Sequence, residues 1–289
     1  MSARRAFPAG LLFLLGAAGV LPAAPLAAER PRGEPVYEVF AIRYGVLPSF
    51  PAHALIAGAD PGRRMDLALM VWLLRGPDGR HVLVDAGCRP DGMAARWKVR
   101  DHELPSAAVA RAGVPADQVT DIILTHLHWD HAGGVELFPR ARVWVQREEL
   151  EHHAASARDP ARSGVDPRDL EALRRLRDAG RLTLLDGDDR APLPGIRVYT
   201  GGRHTHASQY VGVRTAGGTV VLASDDVYLY ENLERRVPIG QTLDRAANLR
   251  AQERMRGLAS DAGLIVPGHD PQVFVRFPTP GRGIARIAR

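Results

Sequence analysis

Four side chains able to hold a metal ion crowd into six residues of this 289-residue chain, in the run Thr125-His126-Leu127-His128-Trp129-Asp130-His131-Ala132-Gly133-Gly134. The apolar end of a predicted strand, Ile122-Ile123-Leu124, comes immediately before it. Successive strand residues face opposite sides, so His126, His128, Asp130 and His131 cannot share a face while the strand continues. A tight loop at the strand's end can aim them at two adjacent points, and Gly133 and Gly134 permit that loop to turn closely. Imidazole and carboxylate together suit borderline divalent ions such as zinc, and also manganese, iron or cobalt. A histidine-rich surface loop is the bland alternative, and the position at a strand end argues against it.

The pattern around this run is one of short strands and helices. Val36 to Val46, Leu67 to Leu74 and His81 to Asp85 are apolar enough to be strands, with Gly76-Pro77-Asp78-Gly79 as the turn between the last two. A short helix is expected over Ala107 to Ala112, and strands over Val119 to Leu124 and Ala141 to Gln146. Asp166-Pro167 is a helix start, with leucines 170, 173 and 176 at helical spacing and Gly180 as the stop. Strands resume at Leu182 to Leu185 and Ile196 to Thr200, followed by a hairpin, Tyr210 to Arg214 and Thr219 to Ala223. Leu243 through Ala262 reads as a long amphipathic helix, and Leu264 to Val266 as a last strand leading into Pro267-Gly268-His269. Hairpins mixed with helices predict a layered α/β domain.

Residues 1–28 read as an export signal. Arg4-Arg5 precede a short apolar run, Ala9 to Val20, too short for the roughly 20 residues that span a bilayer, so no membrane anchor is expected. The Arg4-Arg5-Ala6-Phe7 sequence resembles a twin-arginine signal, and an ordinary secretory signal remains open; either route places the protein in the periplasm or outside the cell. The net charge of +5 is spread among acids rather than gathered into a patch, which argues against nucleic acid as a partner. With Cys88 as the single cysteine, no internal disulfide can form.

The His-x-His-x-Asp-His run resembles the signature of the metallo-β-lactamase superfamily. The resemblance covers residues 36–277, leaves 278–289 as a C-terminal tail, and implies a four-layer αββα sandwich. It also implies three further ligands in order, and His204, Asp225 and His269 stand in the matching places, each after an apolar strand. By that match His126, His128 and His204 hold one ion, Asp130, His131 and His269 hold the other, and Asp225 bridges them. The family usually shows Gly-His-Thr where this chain has Arg203-His204-Thr205, which puts the shape of that loop in question. Asp226 could be mistaken for the bridge, but the Leu222-Ala223-Ser224-Asp225 register favours Asp225. Asp85 is expected to orient a ligand, His206 to lie beside one or not, and Cys88 to be a small buried residue. His152 and His153 read as solvated.

His128 stands where redox relatives carry a glutamate, so the resemblance implies hydrolysis. Tyr228, three residues after Asp225, and the stretch Tyr228-Leu229-Tyr230-Glu231-Asn232 are similar to the N-acyl-homoserine lactone lactonases. That likeness implies a hydroxide bridging two divalent ions, zinc foremost, that opens an acyl lactone ring. Tyr228 would hydrogen-bond the carbonyl and Asp130 would assist the leaving oxygen. Another hydrolase of the same superfamily, for β-lactams, thioesters or phosphoesters, and a non-catalytic metal-binding protein remain alternatives. Phe50 and Trp97 either line an acyl groove or pack in the core. A homodimer is compatible with the resemblance.

Overall fold

The computed structural model describes Met1, 33–156 and 163–289. The expected export signal, 1–28, lies outside the described residues apart from Met1. Two sheets carry the fold. The first is seven-stranded, in the order β12-β1-β2-β3-β4-β5-β6, from β1 (Glu38–Pro51), β2 (Arg64–Arg75), β3 (His81–Val84), β4 (Asp121–Ile123), β5 (Arg142–Gln146), β6 (Leu182–Leu185) and β12 (Ile284–Ala288). The second, in the order β11-β10-β9-β8-β7, comprises β7 (Arg190–Leu193), β8 (Ile196–Thr200), β9 (Gln209–Thr215), β10 (Gly218–Ser224) and β11 (Ile265–Pro267).

Strand alternation builds the layers. Along β2, Met70, Trp72 and Leu74 join Val198, Val211, Val213, Val220 and Leu222 of the second sheet in the core between the sheets. The intervening Leu69, Val71 and Leu73 face the other way, into a core shared with Ala108, Val109, Ala172 and Leu173 on helices. These helices include α1 (Ala52–Leu55), α2 (Met93–Arg96), α3 (Pro105–Arg111), α4 (Trp129–Ala132), α5 (Arg147–Ser156) and α6 (Pro167–Asp178). On the outer face of the second sheet, Tyr210, Val221 and Ala223 meet Ala251 and Met255. Those two come from α8 (Arg245–Leu258), which follows α7 (Tyr230–Arg235) and precedes α9 (Val273–Arg276). The result is the αββα sandwich that the sequence predicts. Asp166 caps α6 by accepting from the Arg168 N–H, as its position before Pro167 foretells.

Three sequence expectations need correction. The segment 278–289 is not a tail: β12 pairs antiparallel with β1, and Ile284, Ala285 and Ile287 are buried. The compact unit accordingly runs Glu34–Arg289. The long helix starts only at Arg245, because the Asp244 side chain accepts from Ala247 N–H and caps it there. Leu243 lies outside that helix and is 63% exposed. His153 is buried, its Nε2 3.2 Å from the Glu149 carboxylate, while the exposed His152 stacks on His206. Among the described residues no helix is long and apolar enough to cross a membrane.

Candidate metal centre

Strands β3, β4, β8, β10 and β11 all run toward one edge of the sandwich, and the loops beyond their C-terminal ends meet there. The loop after β4 and the first turn of α4 bring His126, His128, Asp130 and His131. His204 follows β8, Asp225 follows β10 and His269 follows β11. Donor atoms of His126, His128, His204 and Asp225 lie within 4.8 Å of one another, as do those of Asp130, His131 and His269. Within the first set, His128 Nδ1 stands 3.1 Å from His126 Nε2 and 2.9 Å from His204 Nε2. Asp225 spans both sets. Its Oδ2 is 3.4 Å from His204 Nε2 and 3.8 Å from His126 Nε2, and its Oδ1 is 3.0 Å from His269 Nε2 and 3.3 Å from His131 Nε2. Asp226 turns away, accepting from the Ser208 hydroxyl and the His204 N–H, and burial pushes its carboxyl up to about 7.

The ring nitrogens pointing away from the cluster show that the set suits cations. His204 Nδ1 faces the Gln241 carbonyl at 3.1 Å, and His269 Nδ1 faces the Ala68 carbonyl at 3.0 Å. A carbonyl only accepts, so both Nδ1 atoms carry protons and both Nε2 atoms offer lone pairs inward. Asp85 likewise takes His131 Nδ1 at 2.7 Å, as expected of an orienting carboxylate, and also accepts from the Thr125 N–H and hydroxyl. His131 Nε2 and Asp225 Oδ1 are buried without a hydrogen-bond partner, an arrangement that costs free energy unless a cation sits between them. Burial, and then neighbouring imidazoles, hold His126 and His128 well below the ordinary histidine range, so they stay neutral. Burial opposes the charge on Asp225, but His269 and His131 pull its carboxyl well below the usual range. Five neutral or inward-facing imidazoles and two carboxylates fit two divalent ions.

The loops holding these groups are tightly constrained. A Cβ on Gly134 would sit 2.1 Å from the Ala86 carbonyl, and one on Gly268 would sit 2.8 Å from Asp225 Oδ1. Asp85, Arg203 and Ser224 have left-handed backbones, with φ of 62°, 58° and 48°. Each costs of order 1–3 kcal/mol and lies in or next to the metal-binding loops. The departure at Arg203 thus falls on a conformation that glycine adopts freely, and Arg203 Nη1 offsets part of the strain by donating to the His206 carbonyl at 2.6 Å. The His206 ring stacks on His152, and among the described residues it makes no hydrogen bond to a ligand side chain. Cys88 is buried, with its sulfur 3.7 Å from His102 Nε2, and lies outside both ligand sets.

Sequence reasoning missed two residues that shape the site. The Glu149 carboxylate, wholly buried, accepts from Leu127 N–H at 3.3 Å and Ala207 N–H at 2.8 Å, tying the His126–His128 loop to the His204 loop. Burial opposes its charge, but His153, the Ala207 N–H and the Thr205 hydroxyl hold its carboxyl down at about 2. Gln241 is the second. Its carbonyl fixes His204, and its side-chain Oε1 accepts from the Tyr228 hydroxyl at 3.0 Å. Nothing in a helix-rich charged stretch or a short connecting loop marks either one.

A cleft of about 400 Å³ opens onto the cluster, and His128, Asp130, His204, Asp225, Tyr228 and His269 line it. Leu47, Phe50, Met93, Trp97 and Leu243 are its apolar lining. Phe50 and Trp97 meet at 5.7 Å between ring centroids, so both sequence alternatives hold: they pack together and they line the groove.

Two adjoining clusters of buried metal donors opening onto a cleft in an αββα sandwich are the arrangement of a metal-dependent hydrolase. Residues 67–269 match the model of the metallo-β-lactamase superfamily, and the chain belongs to that family. It is 28% identical over 226 residues to the N-acyl homoserine lactonase AiiA of Bacillus thuringiensis subsp. kurstaki, covering 73% of this chain and 84% of that one. It is 26% identical over 244 residues to the N-acyl homoserine lactonase AttM of Azorhizobium caulinodans, covering 78% and 90%. Among solved structures, an N-acyl homoserine lactone hydrolase with N-hexanoyl-L-homoserine at its catalytic metal centre superposes with a TM-score of 0.67 at 23% identity, covering 82% and 94%. AidC, described as a dizinc quorum-quenching lactonase, gives 0.63 at 16%, covering 89% and 95%.

Proposed function

We propose that this protein hydrolyses the ester bond of N-acyl-homoserine lactones, adding water across the ring's acyl C–O bond to release N-acyl-homoserine. The observation that carries this reading is Tyr228, which lines the cleft with its ring 5.5 Å from His204 and 5.9 Å from His269 and its hydroxyl 3.0 Å from Gln241 Oε1. The named lactonases at 26–28% identity support the same substrate class. Two divalent ions, zinc on the analogy of AidC, would supply Lewis acidity and lower the pKa of water held between them.

The protein's own residues do the rest. Burial, and then Asp225 and Asp130, push the Tyr228 hydroxyl well above its usual value, so it keeps its proton. That proton faces Gln241 Oε1 in the free protein and turns to the ring carbonyl oxygen when substrate binds and charge builds there. Asp130 lines the cleft and is placed to carry the proton to the departing ring oxygen. The wall of Leu47, Phe50, Met93, Trp97 and Leu243 seats the acyl chain, whose burial contributes about 0.8 kcal/mol per methylene.

The test is acid release, followed by pH-stat, from the metal-loaded chain given hexanoyl- and dodecanoyl-homoserine lactones, a β-lactam, a thioester and a phosphodiester. We expect turnover of both lactones, abolished by chelator. Tyr228→Phe should lower kcat by about 10–100-fold, at or below the range for loss of one oxyanion donor, with metal content unchanged. Turnover confined to another ester would overturn the lactonase reading.

A further inference from the structure

Gln241 sits in the segment between α7 and α8, and its backbone is held firmly. Its N–H donates to the Ala54 carbonyl at 2.8 Å, and its own carbonyl faces His204 Nδ1 at 3.1 Å. A Cβ on the preceding Gly240 would stand 2.1 Å from the His53 carbonyl. Downstream, the Leu243 N–H and the Thr242 hydroxyl both donate to the Arg203 carbonyl. The side chain is therefore presented from a rigid support.

The proton positions follow from chemistry. His204 Nδ1 faces a carbonyl and so carries a hydrogen, and it also lies 3.3 Å from the Tyr228 oxygen. That oxygen is the acceptor toward His204, which leaves the tyrosine's own proton for Gln241 Oε1 at 3.0 Å. The amide of Gln241 is thereby oriented, with oxygen toward Tyr228 and nitrogen away from it. Gln241 lines the cleft, and its Nε2 has no hydrogen-bond partner among the described residues.

We propose that Gln241 is a specificity-determining residue that reads the amide of the substrate, its Nε2 donating to the acyl carbonyl oxygen. The assignment rests on the lactonase reading. Gln241 touches Tyr228 and His204 at the metal cluster and lines the same cleft as the apolar side chains of Leu47, Phe50 and Leu243. An N-acyl lactone carries its amide between ring and acyl chain. A lactone without the amide offers Gln241 nothing to bind, so discrimination between the two reports on this contact alone.

The experiment compares kcat/KM of the metal-loaded full chain for N-hexanoyl-homoserine lactone and for an alkyl γ-lactone of matched length. Gln241→Glu keeps an oxygen for the Tyr228 proton and removes the donor, whereas Gln241→Leu removes both. In each variant we expect the ratio of the two kcat/KM values to fall about tenfold, the worth of one hydrogen bond, mainly through KM. A wild-type ratio near one, or variants that lower both lactones equally, would overturn the assignment and leave Gln241 as a support for Tyr228. Silence of the wild-type chain on both lactones, with turnover of another ester, would sink the lactonase reading and this contact with it.

Discussion

Replacing Asp225 by Ala is expected to empty the site and stop the reaction. One carboxylate faces four imidazole nitrogens, with Oδ1 at 3.0 and 3.3 Å from one set and Oδ2 at 3.4 and 3.8 Å from the other. Alanine would leave those nitrogens converging on two positions with no negative charge between them. Loss of a group that merely supports a ligand costs about 10–100-fold in metal affinity or activity, so loss of the shared ligand should exceed about 100-fold in kcat/KM. Elemental analysis should find less than one ion retained per chain after dialysis. Asp226→Asn is the matched control, since that carboxylate bonds Ser208 and the His204 N–H and should cost far less metal. A variant that lacks Asp225 and still keeps two ions and its turnover would disprove the bridge.

The second large effect concerns stability. Ending the chain after Phe277 removes β12 and uncovers the edge of β1 from Val39 to Ile42. It also removes Ile284, Ala285 and Ile287, each less than 10% exposed. Two buried isoleucines contribute roughly 3–6 kcal/mol, a large share of the roughly 5–15 kcal/mol that holds a typical domain together. At about 2–4 °C per kcal/mol, the melting temperature should drop by roughly 10–20 °C. An exposed strand edge should also make the shortened chain prone to aggregate. A truncated protein that melts within a few degrees of the full chain would show that β12 is held loosely.

The candidate ligands that the fold gathers into two clusters were legible because each follows an apolar strand and stands in the order that the resemblance to the superfamily implies. Asp85 was legible for the same reason. β12 was not: Ile284 and Ile287 are interspersed with arginines, and the partner strand is Glu38–Pro51 at the opposite end of the chain. His153 misled because its neighbours Glu148, Glu149, Glu151 and His152 are polar, yet it is buried beside Glu149, whose carboxylate is tied to the His204 loop through the Ala207 N–H. Leu243 fits the spacing of α8, yet the cap formed by Asp244 stops the helix and turns Leu243 toward the cleft. Gln241 carries no motif at all. Its role arises from three segments, around Ala54, His204 and Tyr228, that meet only once the chain has folded.

The division of ligands between the sheets bears on how the protein is made. His126, His128, Asp130 and His131 hang from the first sheet, and His204, Asp225 and His269 from the second, with His269 the last of the seven to be made. A nascent chain emerges with four donors and can hold an ion weakly, but neither position closes until β8, β10 and β11 have followed. The strand that completes the first sheet emerges later still. Tight metal capture is therefore reserved for finished molecules, and the binding energy of the ions is released where it fastens the late half of the chain to the early half.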